Sequence, residues 1–537
     1  MEKRTLIALA LSFLVLGFYP VVLEKLYPDY YKHKKNVEKK RPTEGTSVPQ
    51  AAALSPTPLS EGAILPAEDK ILSTDSLALA FNSREAGIRQ IELLKFSDPD
   101  KKSPITLLSL EDMSGSPTSA HLAGEKAGGV LYTMEERLGG LVASAALTDG
   151  LRLTKDYTFR NGYAADLRLH FENTASAPVD IQYQLFAGNS IASRNSIDAQ
   201  YTEANFFTDV NGKKQIRHVK ESKAGKSVTS SGALEWVATK NRHFSIILKP
   251  KSPEVFSGLV EGLGDHRFRV SLVSGKVSVP AGGVLDHDFL LYIGPNDIDE
   301  LMPLGLDPIV NFGKLDGIGK LLVGALELLH KGLRNYGLAI IALTILINLL
   351  LFPLTRQSYM SMKRMQLIQP QMTKLRDQNK KNPEKLNREM MELYKKHKVN
   401  PFGGCLPMFA QMPVFIALYV ALSKTVKLVD AKFLWVNDLS SPDNVRLPFT
   451  LPFLGDSIHI LPLIMVLAMV LQQKFTQIKI EGQDPAMESQ QKMMAFMMPI
   501  IFGFIFYTMP SGLVIYWLTN TILMAFYQFH LKKMTLT

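Results

Sequence analysis

The chain has 537 residues, 46% of them hydrophobic and 20% charged, with mean hydropathy +0.05 and a formal net charge of +10. That length exceeds an ordinary domain of about 100 to 200 residues. The single cysteine, Cys405, excludes an internal disulfide, a CxxC redox pair and a cysteine-rich zinc site. The basic balance fits nucleic acid, anionic lipid or a ribosomal surface without choosing among them.

Apolar residues concentrate at the extreme N-terminus and in the last 200 positions, so the pattern predicts a membrane protein carrying one large extramembrane domain. The run from Leu6 to Leu23 approaches the roughly 20 residues that a helix needs to cross hydrocarbon. A cleaved signal would have a shorter apolar core and a small-residue site soon after it. Glu24, Lys25 and Tyr27 follow instead, which favours an uncleaved anchor over residues 1–24. Residues 25–69 turn lysine-rich and then Pro-, Ser-, Thr- and Ala-rich, the composition of a disordered tether.

Over residues 70–300 the apolar period is two. Leu77, Leu79 and Phe81 form one strand pattern; Leu167, Leu169 and Phe171 a second; Val179, Ile181, Tyr183 and Leu185 a third. Phe268, Val270 and Leu272, followed by Ser-Gly-Lys and then Val277 and Val279, read as a hairpin. Many short strands separated by turn signals predict an antiparallel β-sandwich. Near Leu315 the period becomes helical. Ile318, Leu321, Leu322, Leu326, Leu329 and Leu333 mark an amphipathic surface helix within 310–336, with Lys320, Glu327 and Lys331 on other faces.

Residues 337–537 then hold five further spans: Leu338–Leu354, Cys405–Leu422, Ile458–Leu471, Met493–Tyr507 and Leu513–Phe529. Cys405 reads as a small packing residue at the start of its span. Between the first two spans, Met365, Ile368, Met372 and Leu375 make one helical stripe and Leu386, Met390, Leu393 and Tyr394 another. With the break at Asn379–Pro383 they predict a helical hairpin over 356–401. Residues 356–401 carry twelve Lys or Arg against four acids, 474–492 carry three basic residues, and the tail ends with Lys532 and Lys533. These loops belong in the cytoplasm, which puts both termini inside and the β-domain on the far side. The first span, taken alone, argues the opposite, with seven basic residues between Lys25 and Arg41. The five later spans agree with one another and decide the orientation.

The run KVNPFGGCLPMFAQMPVFIALYVAL at 398–422 resembles the third span of the YidC/Oxa/Alb insertase family. FPLTRQSYMSMKRMQLIQP at 352–370, FLWVNDLS at 433–440 and MPSGLVIYWLTN at 509–520 extend the likeness in the same order. GALEWVATKNRHF at 232–244 and LLYIGPNDIDEL at 290–301 resemble the periplasmic domain of the Gram-negative branch. The resemblance implies a bacterial inner-membrane insertase and chaperone. Its fold would be an α-helical transmembrane core, one N-terminal anchor plus a five-helix bundle around a hydrophilic groove, with an all-β periplasmic sandwich. Clients would be nascent membrane proteins. The ribosome, the signal-recognition pathway, the Sec translocon and membrane lipids are the implied partners, with no specific nucleic acid, cofactor, metal or catalytic residue.

Six positions are candidates for the groove that the resemblance implies. Thr344 is a polar match, with a bond to its own helix carbonyl as the competing role. Asn348 stands where the family usually has Arg or Lys, so the buried charge that would draw acidic client tails is missing. Gln411 is a groove residue or an interhelical link. Tyr516 and Trp517 align with a client-contacting aromatic, against an interfacial-belt role. Asn520 lines the groove or packs helices. Eighteen of the 22 methionines follow residue 355 and suit either a surface that accepts many sequences or a membrane core.

Two other functional classes fit the residues less well. A secondary transporter or channel calls for repeated hydropathy and midplane helix breaks, and neither is seen in the pattern. The family's periplasmic domain also resembles sugar-binding mutarotase-like folds, but His121, His170, His218, His243, His266 and His287 are scattered without a paired carboxylate spacing. There is no GxxxxGK[ST] nucleotide loop.

Overall fold

The computed structural model describes residues 67–533, apart from short breaks at 99–102, 112–114, 124–129, 148–149, 193–195, 221–222, 253–254, 265–266, 380–381, 398–405, 452–454 and 477–484. The expected anchor, almost all of the tether, His266 and Cys405 lie outside the described residues.

Alternation of apolar and polar residues folds the first part into antiparallel sheets. Nine strands run side by side in the order 213–219, 203–210, 233–240, 244–250, 284–295, 164–173, 151–159, 140–146 and 133–137. A five-stranded sheet takes the order 227–229, 256–264, 267–274, 183–189 and 120–122, and a four-stranded meander spans 69–109. Strand Ala164–Asn173 shows the logic: Leu167, Leu169 and Phe171 are buried on one face while Arg168 faces out and pairs with Asp288 at 2.8 Å. The core holds Trp236, Tyr157, Tyr183 and Phe81, with Phe81 edge-on to Tyr157 at 5.0 Å.

Two strand expectations are corrected. The stretch 268–279 is not a hairpin: Arg267–Ser274 pairs with 256–264 and 183–189, whereas Val277–Val279 pairs with Val179–Ile181. The Ser-Gly-Lys step therefore carries the chain between sheets. The single alternating run 179–185 is divided in the same way, its first half joining Val277–Val279 and its second half the five-stranded sheet. Period two reveals which face is apolar but carries no information about the partner strand.

Nine helices lie among the described residues. Two are single turns, α1 (Ser196–Ala199) and α2 (Ile298–Leu301). They are followed by α3 (Asp316–Leu333), α4 (Tyr336–Gln378), α5 (Pro383–Lys396), α6 (Leu406–Lys424), α7 (Ile460–Thr476), α8 (Pro485–Phe506) and α9 (Ser511–Lys533). By length and composition, Tyr336–Met365 and Ser511–His530 are long and apolar enough to cross a membrane, and three shorter apolar stretches lie in α6, α7 and α8.

The first core span and the first hairpin arm are one helix of 43 residues, α4, which continues through Pro353 and Pro370. Proline kinks a helix without ending it when strong helix formers flank it, here Leu, Met, Gln, Lys and Arg. After a turn capped by Asn382, α5 folds back. Ile368 and Leu393 are buried between the arms, with Met365, Met372, Leu375 and Tyr394 around them. Asn379 donates to Glu389 at 2.7 Å across the same turn. Two hairpin methionines thus have a packing role. On α3, Leu322, Val323 and Leu326 are buried while Ile318, Leu321 and Leu328 stay exposed, so its apolar surface is wider than its protein contact.

Candidate functional site

Residues 425–443 gather the ends of several helices, and polar side chains shape that segment. Asn335 caps α4 by accepting from Leu338 N at 3.1 Å and donates to Lys432 O at 3.1 Å. A Cβ on Gly337 would fall 2.2 Å from the Phe433 ring, so only glycine lets the α4 terminus approach this turn. Asp438 accepts from the Ser440 N–H and hydroxyl at 2.8 and 2.6 Å. Asp443 accepts from Leu461 N at 2.8 Å, satisfying the start of α7, and from Trp435 Nε1 at 3.2 Å. Ser511 N donates to Ser441 O at 2.8 Å and seats α9. Residues 432–443 thus tie together the starts of α4, α7 and α9.

Away from this segment, α9 packs on α7 and α4, and α6 on α4 and α9. The six candidates lie on α4, α6 and α9 and divide by exposure. Thr344, Asn348 and Tyr516 are buried; Gln411, Trp517 and Asn520 are half-buried. Thr344 Oγ1 donates to Ile340 O at 2.7 Å, and Asn348 Nδ2 donates to Thr344 O at 2.8 Å, each within its own helix. Gln411 Nε2 donates to the Tyr516 hydroxyl at 2.5 Å, joining α6 to α9. Trp517 stacks on Phe502 at 5.1 Å, lies 5.2 Å from Phe506 and stands edge-on to Phe415 at 5.0 Å. Asn520 Oδ1 is buried with no hydrogen-bond partner among the described residues. The structure therefore joins Gln411 to Tyr516 directly and Tyr516 to Trp517 through Phe415, and sets Thr344 and Asn348 one turn apart on α4.

Sequence reasoning missed the ionic groups between the β-rich region and the helices. Lys427 Nζ lies 2.7, 3.0 and 3.5 Å from Asp297, Asp299 and Glu327. Burial opposes its charge, yet hydrogen bonds to the two aspartates and the nearby Glu327 hold its pKa above the ordinary lysine value. Glu327 is pushed up, chiefly by burial. Among the described residues these three carboxylates are the group spaced to hold a metal, and a lysine ammonium already bridges them.

Several histidines do meet carboxylates: His121 with Glu85 at 2.6 Å, His218 with Glu203 at 2.9 Å and His170 with Asp286 at 2.7 Å. Their partners are 36, 15 and 116 residues away, beyond the reach of spacing arguments. Buried Lys155 donates to the carbonyls of Glu85 and, at 2.9 Å, Thr118. Both of those residues have positive φ, 66° in each case. Burial brings the Lys155 pKa down to about 7, against the pull of Glu85.

The family described as YidC periplasmic domain matches residues 71–325, and the family described as 60Kd inner membrane protein matches 328–537. A membrane protein insertase YidC of Cupriavidus necator is 32% identical over 91% of this chain and 86% of its own length. One from Geotalea daltonii is 31% identical over 99% of both chains. A galactose mutarotase-like protein from Lactobacillus casei superposes on 42% of this chain at 7% identity with a TM-score of 0.31, too low to carry an argument about chemistry. The sequence matches run almost end to end and cover both the β-rich and the helical parts, so the chain belongs to the YidC family of membrane protein insertases, non-catalytic chaperones that help new membrane proteins enter and fold in the bilayer.

Proposed function

We propose that insertion proceeds along a hydrophilic groove bounded by α4, α6 and α9, in which Gln411, Trp517 and Asn520 meet the client and Thr344, Asn348 and Tyr516 form the wall behind them. The observation that carries this reading is the buried, unpartnered Asn520 Oδ1. An acceptor held out of water in an apolar bundle costs free energy unless water or a client amide supplies a proton. A polar client segment would exchange hydration for such groups, and its apolar neighbour would leave sideways into lipid, where hydrophobic transfer drives it. The loop at 425–443 fits the closed end of the groove.

In this reading the protein lies in the inner membrane as an N-terminal anchor (1–24) and a five-helix core (337–537), with a tether at 25–69. A periplasmic β-sandwich occupies 70–300 and an interfacial helix 310–336. Both termini and the basic hairpin of 356–401 face the cytoplasm. The exposed Ile318, Leu321 and Leu328 of α3 suit contact with lipid. The hairpin's basic surface suits the ribosome, the signal-recognition pathway and anionic headgroups, and insertion proceeds alone or with the Sec translocon as partner.

The test is photo-cross-linking to a ribosome-held nascent membrane protein. Probes replace Trp517, Asn520 and Asn348, with one at Phe504, which is 84% exposed on the outer face of α8, as control. Adducts at Trp517 and Asn520, weaker ones at Asn348 and none at Phe504 are expected. Silence at Trp517 and Asn520 overturns the groove.

A further inference from the structure

The motif at 232–244 has a structural role that the groove does not use. Strands Ala233–Lys240 and Phe244–Pro250 are joined by a turn, Asn241-Arg242-His243. Asn241 shapes it: its side-chain oxygen accepts from His243 N at 3.0 Å and Phe244 N at 2.9 Å. The turn drives the next two side chains into the end of α6. Arg242 Nε donates to Ser423 O at 2.5 Å, and His243 Nε2 lies 3.2 Å from the same oxygen. Both side chains are buried. Ser423 is the penultimate residue of α6, so its carbonyl is among those that a helix end leaves without an intrahelical donor. A cation there also meets the negative end of the helix dipole.

The grip is reinforced on every side. Arg242 Nη1 lies 3.4 Å from Asp198 of α1. The guanidinium and the Lys424 ammonium each sit 5.9 Å from the Tyr201 ring. Lys424 Nζ donates to Asn311 O at 2.6 Å, and Asp430 Oδ2 accepts from Ser97 N at 2.6 Å. With Lys427 bridging Asp297, Asp299 and Glu327, residues 423–430 are fastened to the β-rich region or α3 at successive points. Surface pairs would not hold a helix in place. Buried, charge-assisted bonds to a rigid sheet do.

We propose that Arg242 is a positioning residue for insertion: the β-rich region, through the Arg242–His243 turn, fixes the height and rotation of α6 and so registers Gln411 against Tyr516. Gln411 lies twelve residues before Ser423, about 18 Å along the helix. A slip at the gripped end is carried along the helix as translation and rotation as far as Pro413, two residues short of Gln411, and so reaches the Gln411 level through that one joint. The inference rests on the groove reading for its functional meaning, but its geometry is measurable without a client.

The experiment uses the full chain in lipid nanodiscs, in a Cys405→Ser background with nitroxide labels at Met412→Cys on α6 and Ile522→Cys on α9. Both positions are exposed. The pair Arg242→Met with Asp198→Leu removes the grip without leaving a lone buried charge. The expected result is a shift or broadening of the 412–522 distance by at least one residue's rise, about 1.5 Å, while the amides of strand 244–250 keep their protection from hydrogen exchange. Arg242→Lys, which retains a cation with shorter reach, should restore most of the parent distribution. An unchanged distance with the strand still protected overturns the inference. If the paired variant loses that protection, the distance is read in His243→Phe, where a smaller shift of the same sign is expected and no shift is again fatal. Silent cross-links at Trp517 and Asn520 with a shifted distance would sink the groove and leave the mount standing.

Discussion

Both halves of this chain bury an apolar core, but they differ in what they leave exposed. In the β-rich region the large apolar side chains are inside, Trp236 and Tyr157 among them, and the buried charges Lys155, Arg242 and Glu203 each have a protein partner. In the helical region Leu350 is 78% and Phe504 84% exposed, while Thr344, Asn348 and Ser423 are buried. Water rewards the first arrangement and hydrocarbon the second. The two regions meet where Arg242, Lys424 and Lys427 make their bonds.

Four experiments break or sharpen that contrast. The largest effect belongs to Lys155→Met, which leaves the carbonyls of Glu85 and Thr118 without their donor in a water-solvated fold. A loss of roughly 3–5 kcal/mol is expected, as for a buried pair deprived of one member. Hydrogen exchange across 164–173 in the full chain would read it, and protection within 1 kcal/mol of the parent would mean that the cluster is not a keystone.

The same lysine gives the β-rich region a pH signature. Its folded pKa of about 7 lies below the ordinary 10.5, so between these values the unfolded chain holds a proton that the folded one has released. Stability should then rise with pH from about 7. Tyr157, Tyr183 and Tyr292 work in the other direction, because burial raises their pKa values and stability falls once unfolded tyrosines ionise near 10. Exchange protection of 164–173 should climb from about pH 7 and turn over near 10, and Lys155→Met should lower the slope and delay its onset to about 8, where buried Lys240 contributes the remainder. A parent profile that is already flat would show that the ammonium keeps its proton.

At the boundary, Lys427→Gln removes the bridge among Asp297, Asp299 and Glu327. Partial exposure of the group limits the loss to roughly 1–2 kcal/mol. It should appear as faster exchange in α3 with little change in the central strands; uniform destabilisation would place the bridge elsewhere in the folding unit. Within the bundle, Gln411→Leu costs least, about 0.5–1 kcal/mol, since interhelical hydrogen bonds in lipid are individually weak. Unfolding in mixed micelles would measure that cost. A loss above 3 kcal/mol would make Gln411 a structural keystone and not a groove residue.

The sequence disclosed the change of period near Leu315, the apolar runs and the turn at Asn379–Pro383 because those signals are local. It concealed the sheet change at Ser274–Lys276, since alternation is blind to partners, and the continuity of α4, since two prolines imitate a boundary. At the candidate site Gln411 and Tyr516 could be singled out separately, but a bond across 105 residues cannot be read from spacing. Arg242 and Lys427 were invisible for the same reason: each is defined by the far element it holds.

The unbroken length of α4 has a mechanical consequence. Its 43 residues extend about 65 Å, roughly twice the hydrocarbon thickness, so the hairpin tip and Asn348 belong to one beam. A load applied at the hairpin acts on the bundle with a long moment arm. Pro353 and Pro370, where the backbone ladder lacks a rung, are the joints at which that beam yields. Docking at the hairpin would thus bend α4 first at these joints, the nearer of which stands five residues beyond Asn348.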